Sequence, residues 1–392
     1  MKVRQRPPAS ARAFPAHPTE FLRAYAQGGE ASLAEAFKGI TTDGKIVPGL
    51  FPIQSTGVST GPIREAAEAF LSSLGAEDRA RTLFPVEGEA WRRWSNIHPF
   101  VMRHGMPLED MSSSQRDLAL GLLRTSLSRS GFETARDVMK LNEVIREITG
   151  RDEEYGEWLY WLSIMGTPSA ERPWGWQIDG HHLIVNCFVL GDQVVMTPMF
   201  MGSEPVAAES GPYAGTRVFE AEEEGGLTLM RALTPAQQSK TILARQLPNE
   251  VFTAAFRDNF ELRHEGIRHD ELSTTQQGLL VRLAETYVER VRPGHARVRM
   301  EEVTRHLDET YFAWIGESGA DSVFYYRIHS PVILIEFDHQ RGIAFDNDEP
   351  SRNHVHTVVR TPNGNDYGKD LLRQHREQFD HSPPAAAHVG PR

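Results

Sequence analysis

Three stretches rich in β-branched and aromatic residues lie far apart in this chain, so any sheet they form must be assembled across long intervening segments. They are Trp174–Gly202 (WGWQIDGHHLIVNCFVLGDQVVMTPMFMG), Val323–Asp338 (VFYYRIHSPVILIEFD) and His354–Arg360 (HVHTVVR). Gly191-Asp192, between two β-rich runs of the first stretch, is a hairpin signal. Helical spacing of apolar residues runs from Ile63 to Gly150 and again between the first and second stretches. The expected fold class is therefore α+β: an antiparallel β-sheet carrying a His/Glu cluster, packed by several helices.

Helix starts are marked by capping boxes at Ser112 with Gln115, Thr234 with Gln237, and Ser273 with Gln276. Pro235 falls at a first helical position, where its missing N–H costs nothing. The text after each cap is alike in kind, but the spacing between caps is irregular. It reads as helix chemistry and not as a solenoid repeat. A Pro/Gly-rich segment, Asp43–Pro62, separates a short N-terminal helix from the bulk of the chain. Residues 1–46 are expected to form an arm with a short helix, partly disordered; 47–380 a single α+β catalytic domain; and 381–392 a disordered tail.

Composition excludes several classes. Fifty-three acids against forty-two bases give a net charge of −11, which argues against a nucleic-acid partner. One cysteine, Cys187, leaves no disulfide within the chain and no thiolate cluster. No apolar run approaches the roughly 18 residues of a membrane span. The N-terminus lacks the apolar core of about 7–15 residues that a signal peptide needs, so a cytoplasmic protein with no membrane partner is expected. Nucleotide-binding glycine motifs and H-E-x-x-H are both missing.

The 16 histidines hold the remaining information. His354-x-His356 on a strand puts two imidazoles on one face, with Val358 and Arg360 below them. Gly180-His181-His182 opens another strand, and adjacent residues point to opposite faces. One ring can then reach a shared ion while the other makes a hydrogen bond. Glu336 sits in an apolar run, where a carboxylate needs a charged partner or a cation. Arg327 or Arg360 could serve as that partner in a buried ion pair. Two or three imidazoles with one carboxylate on neighbouring strands suit a borderline divalent ion with open positions. Trp174 and Trp176 lie just before the His-His strand and are candidates to wall a pocket or to fill the core.

The strings VPGLFPIQSTGVST, PWGWQIDGHHLIVNC, DQVVMTPMFMGSEP, SGPYAGTRVFEAEEE, YFAWIG, LIEFD and NHVHTVVRTPNGNDYG succeed one another in order. In this the chain resembles the bacterial domain-of-unknown-function family numbered 3500, over Val47 to Arg376. The resemblance implies no settled activity. It does imply that the polar positions shared by the family fall on His181, His182, Glu336, His354 and His356. His329 stands where the family usually has another residue, so it is not carried over as a ligand.

The combined expectation is a mononuclear metal-dependent enzyme with one divalent metal ion, zinc preferred and iron or copper as alternatives. The candidate ligands are His181, His182, Glu336, His354 and His356. Glu336, Arg327 and Arg360 are the candidate catalytic residues, Glu336 as base if it is not a ligand and the arginines as anion holders. Trp174, Trp176, Asn186 and Tyr326 are the candidate substrate contacts. The partner is expected to be a small-molecule substrate with an anionic or carbonyl group, and the chemistry hydrolytic. An oxygenase using the same site and a non-catalytic binding protein are the alternatives.

Overall fold

The computed structural model describes residues 2–379. A helix α1 (Glu20–Ala34) precedes two runs of elements in the same order. The first run is α2 (Gly61–Ser72), α3 (Ala76–Thr82), β1 (Leu83–Phe84), β2 (Met106–Pro107), α4 (Ser113–Ser126), α5 (Arg129–Thr149), β3 (Tyr160–Met165), β4 (Trp174–Gly180), β5 (Leu183–Leu190), β6 (Gln193–Val195) and β7 (Met199–Ser203). The second is α6 (Glu220–Ala232), α7 (Pro235–Thr241), β8 (Ile242–Ala244), β9 (Ile267–Arg268), α8 (Thr274–Val288), α9 (Pro293–Arg305), β10 (Tyr311–Gly316), β11 (Phe324–His329), β12 (Leu334–Arg341) and β13 (Pro350–Arg360). Helix α10 (Lys369–Gln378) closes the described chain.

All thirteen strands join one sheet, in the order β1-β3-β4-β5-β7-β13-β12-β11-β10-β8, with β2, β6 and β9 pairing beside that path. The pairing is antiparallel except at the two ends, where β1 lies parallel to β3 and β8 parallel to β10. The fold class is α+β.

The sheet is an internal duplication. Trp161 pairs with Asp179 as Tyr311 pairs with His329, 150 positions later in both strands. Gln177 pairs with Asn186 as Arg327 pairs with Glu336. Val185 pairs with Met199 as Ile335 pairs with Val359, and Met199 and Val359 face each other where the halves meet. A pseudo-twofold axis therefore passes through the Met199–Val359 pair. The broken strand β6–β7 is the counterpart of the continuous β13.

The helix caps follow the duplication, which is a two-fold repeat and not a solenoid. All three boxes form, with both reciprocal bonds. Ser112 and Ser273 are counterparts that open α4 and α8, whereas Thr234 opens α7, whose counterpart α3 starts after Gly75. Mixing two different positions of the unit made the spacing look irregular.

The two faces of the sheet differ. Trp174, Trp176, Val185, Met201, Val359, Phe337, Tyr326 and Trp314 point one way into the main apolar core, against the buried stripes of the helices. In α5 that stripe is Ala135, Val138, Met139, Leu141, Asn142 and Ile145, at helical spacing. The opposite face carries Arg327, Glu336, Asp338, His354, His356 and Arg360, and is covered by irregular chain with a smaller core around Trp94, Phe200, Val251 and Val358.

The N-terminal arm is part of that cover. Val3 bridges Phe345, the Arg4 amide donates to the Ala344 carbonyl at 2.8 Å, and Thr41 bridges Glu261. Leu22 and Leu33 of α1 are buried. Residues 2–46 thus pack on the rest of the chain. The expected tail, 381–392, lies outside the described residues. No helix among them is long and apolar enough to cross a membrane.

Candidate metal centre

The period of two along β13 brings His354 and His356 to the loop-covered face, and His356 faces Gly202 of β7. A Cβ on Gly202 would lie 2.8 Å from the His356 ring and 3.3 Å from that of His182, so only glycine leaves room for both. His182 sits in the turn between β4 and β5 at φ 62°, a left-handed conformation uncommon for a residue with a side chain. The turn is held from both sides: the His182 amide donates to the Asn96 carbonyl at 3.1 Å, and its carbonyl accepts from the Gly202 amide at 2.8 Å. Backbone strain locked in by neighbours is a mark of functional sites.

Three Nε2 atoms converge. They stand 3.2 Å apart for His182 and His354, 3.0 Å for His354 and His356, and 3.0 Å for His182 and His356. All three rings are buried. The Nδ1 of His354 lies 2.7 Å from the Arg341 carbonyl, an acceptor only, so the proton is on Nδ1. The Nδ1 of His356 donates to Glu250 at 2.6 Å. Both rings are thereby fixed with the Nε2 lone pair directed at the common point. Burial, reinforced by the neighbouring rings, pushes the pKa of His182 and His356 well below the ordinary imidazole value. The Nε2 lone pairs of His354 and His356 then face each other and the Nε2 of His182, an arrangement that a cation relieves. For metal–nitrogen bonds of about 2.0–2.1 Å, ligands stand about 3.4 Å apart at tetrahedral angles and about 2.9 Å at octahedral ones. The observed spacing fits a three-histidine site with further positions open, and these are the three residues in the described chain whose ligand atoms group so closely.

His181 and Glu336 are not brought to that point. His181 stacks on His182 with ring centroids 3.9 Å apart, and its Nδ1 is 2.8 Å from the Asn142 side chain. Glu336 accepts from the Thr253 amide at 3.1 Å and lies near its hydroxyl. Burial pushes its carboxyl up to about 7, against the lowering pull of Arg327 and Arg360.

The two arginines are engaged elsewhere. Arg360 is fully buried, with Nη1 2.8 Å from Asp258 and 3.2 Å from Asp366 and its other nitrogens on the Thr253 and Ala254 carbonyls. Asp258 also receives Arg92 at 2.9 Å. Arg327 bonds Glu265 at 2.9 Å. Instead of facing a cavity, Glu336, Arg327 and Arg360 clamp the segment 249–265 onto the sheet, which is what places Glu250 against His356.

The expected substrate contacts are also elsewhere. Trp174 and Trp176 point to the helix side and are fully buried. Tyr326 lies on that side too, its hydroxyl donating to the Glu222 carbonyl at 2.9 Å. Asn186 is on the site's face of the sheet, but it donates to the Pro198 carbonyl at 2.8 Å and accepts from Gln177 at 2.6 Å.

Residues not singled out from the sequence complete the site. Glu250 also accepts from Asn96 at 3.2 Å, and burial pushes its carboxyl up. Glu204 gathers the amides of Ile343, Ala344 and Phe345, shaping the loop that offers the Arg341 carbonyl to His354. Asn142 had a visible signal, as a polar residue on the apolar stripe of α5. Glu250, in the irregular PNEVF segment, had none. Asp338, across from His356 on β12, is buried with its Oδ1 unpartnered, and burial raises its pKa well above the usual range, which favours the neutral acid.

The triad forms part of the lining of a cavity of about 680 Å³. A family model described as "Protein of unknown function (DUF3500)" matches residues 56–369, most of the chain, including the three histidines and Glu250. The chain belongs to this family. No curated protein and no solved structure matches it. Membership leaves the site's geometry as the guide to what the protein does.

Proposed function

We propose that this chain binds one divalent ion through Nε2 of His182, His354 and His356, and that it is a metal-dependent hydrolase of a small organic substrate bearing an anionic or carbonyl group. The observation that carries the reading is the convergence of three buried imidazole nitrogens at 3.0–3.2 Å on the wall of a large cavity. Zinc is preferred because three histidines with an open position are a known catalytic donor set for it. Such an ion lowers the pKa of a bound water and polarises a carbonyl or phosphoryl oxygen.

The chain's own residues do the rest. The Arg341 carbonyl and Glu250 hold the Nδ1 protons of His354 and His356, so that Nε2 stays free. Asn142 keeps the His181 ring flat against His182. The arm and the segment 249–257 wall the cavity. An iron or copper oxygenase is the second reading, favoured by a donor set made only of imidazole, which suits those metals as well.

Elemental analysis of protein purified without chelator or nickel resin tests the assignment. About one atom per chain is expected, falling to near zero in His354→Ala and His356→Ala with the fold retained. Zinc directs hydrolytic assays and iron or copper oxidative ones. No uptake on reconstitution, or retention of metal in both variants, ends the assignment.

A further inference from the structure

The cavity over the triad is lined by aromatic and cationic side chains together. Helix α1 presents Phe21 and Tyr25, whose rings stack 5.8 Å apart. Phe21 is 65 % exposed, more than any other large apolar side chain among the described residues. An aromatic ring left open at the mouth of a cavity is a ready contact for an apolar ligand surface.

Arg257 and Arg341 line the same cavity, both exposed. Neither forms an ion pair among the described residues. The other two arginines of the cavity are neutralised: Arg4 by Asp348 at 2.9 Å, and Arg6 by Glu154 at 2.5 Å. Arg257 touches the Phe252 carbonyl at 3.3 Å and the Phe260 ring, which leaves most of its donors open. The Arg341 carbonyl is the one that holds His354 Nδ1, so its guanidinium is rooted beside the metal centre. In a chain of net charge −11, two uncompensated guanidinium groups in a concave site make a local attractor for anions. Their planar forks match a carboxylate or phosphoryl group.

We propose that the cavity takes a small aromatic anion, its carboxylate or phosphoryl group held by Arg257 and Arg341 and its ring set against Phe21 and Tyr25. As a statement about substrate this rests on the proposed metal centre; as a statement about binding it does not. It also separates anion recognition from Arg327 and Arg360, which are spent on loop anchoring.

Calorimetric titration of the full chain with phenyl phosphate and benzoate, before and after chelation, tests it, with benzyl alcohol and inorganic phosphate as comparators. Binding of phenyl phosphate or benzoate is expected, with benzyl alcohol at least about 10-fold weaker. Arg257→Gln with Arg341→Gln is expected to weaken the aromatic anions about 10-fold or more, at unchanged metal content and melting temperature. Phe21→Ser is expected to weaken phenyl phosphate but not inorganic phosphate. Chelated protein is expected to keep the arginine dependence, so a chain that holds no metal yet shows it would defeat the metal reading alone. Equal affinity in the double variant, affinity that vanishes wholly with the ion, or no heat from either aromatic anion overturns the proposal.

Discussion

The two halves of the sheet share a plan and differ in what they place on the loop-covered face. In the first half Gln177 and Asn186 bond to each other, and Phe200 fills the next strand. In the second the same places hold Arg327, Glu336 and Arg360. The uncharged trio makes only neutral ties outside its strands, Gln177 to the Trp91 carbonyl and Asn186 to that of Pro198. The charged trio reaches Glu265, Thr253, Asp258 and Asp366 in chain that lies over the strands. The buried charges of the second half therefore act as fasteners. They draw one irregular segment down onto the sheet, and that segment delivers Glu250 to His356.

Copying one half into the other breaks this comparison most directly. Arg360→Phe, which installs the residue of its counterpart, removes the Arg360 guanidinium from Asp258, Asp366 and two carbonyls, leaving Asp258 only Arg92 and Tyr367 and Asp366 the Thr361 amide. Removing one partner of a buried ion pair costs about 3–5 kcal/mol, so urea denaturation is expected to show a loss of that size. Phe200→Leu, a roughly volume-conserving change at the matching position, is expected to cost under about 1.5 kcal/mol. Equal costs would mean that the charges do not anchor the loop.

Glu336→Gln gives a smaller, pH-dependent difference. The Glu336 carboxyl is raised to about 7 in the fold, above its unfolded value of about 4.3. The folded state therefore binds the extra proton between those values, and this group's contribution to stability is fully present below about 4.3 and lost as pH rises through 7. Melting temperature is expected to fall less from pH 5 to pH 8 in Glu336→Gln than in the native chain, whereas its counterpart Asn186 has no proton to exchange. Parallel curves would remove Glu336 from the pH response.

The mildest test concerns what the halves have in common. Ser112→Ala and Ser273→Ala each delete the oxygen that accepts from the third helical amide. Each is expected to cost about 1 kcal/mol, as loss of an N-cap usually does, with the double variant close to the sum. Clearly unequal losses would mean that the two helix starts no longer do the same work.

Much of this was legible in the chain. The pair in GHHL was read as the start of a strand and instead sits in a turn with its rings stacked 3.9 Å apart, whereas alternation along HVHTVVR put His354 and His356 on one face. Local rules suffice there, because strand parity and capping depend on neighbours in sequence. The role of Glu336 was not legible: a carboxylate in an apolar run demands a partner, but parity cannot say whether that partner is an ion or the amide of Thr253, 83 positions away. Trp174 and Trp176 were misplaced for a related reason, since their strand is buried on both faces and its composition does not mark which face meets helices. The duplication hid because the halves keep pattern and not identity, as Gln177 against Arg327 and Asn186 against Glu336 make plain.

The cavity draws its walls from stretches far apart in the chain. The ion ligands and Glu250 lie within the span that the family model covers, while Arg4, Arg6, Phe21 and Tyr25 come before it. The aromatic wall and the histidine cluster therefore answer to separate stretches of chain: Phe21 and Tyr25 can change without altering any of the three rings or the Glu250 side chain that orients one of them.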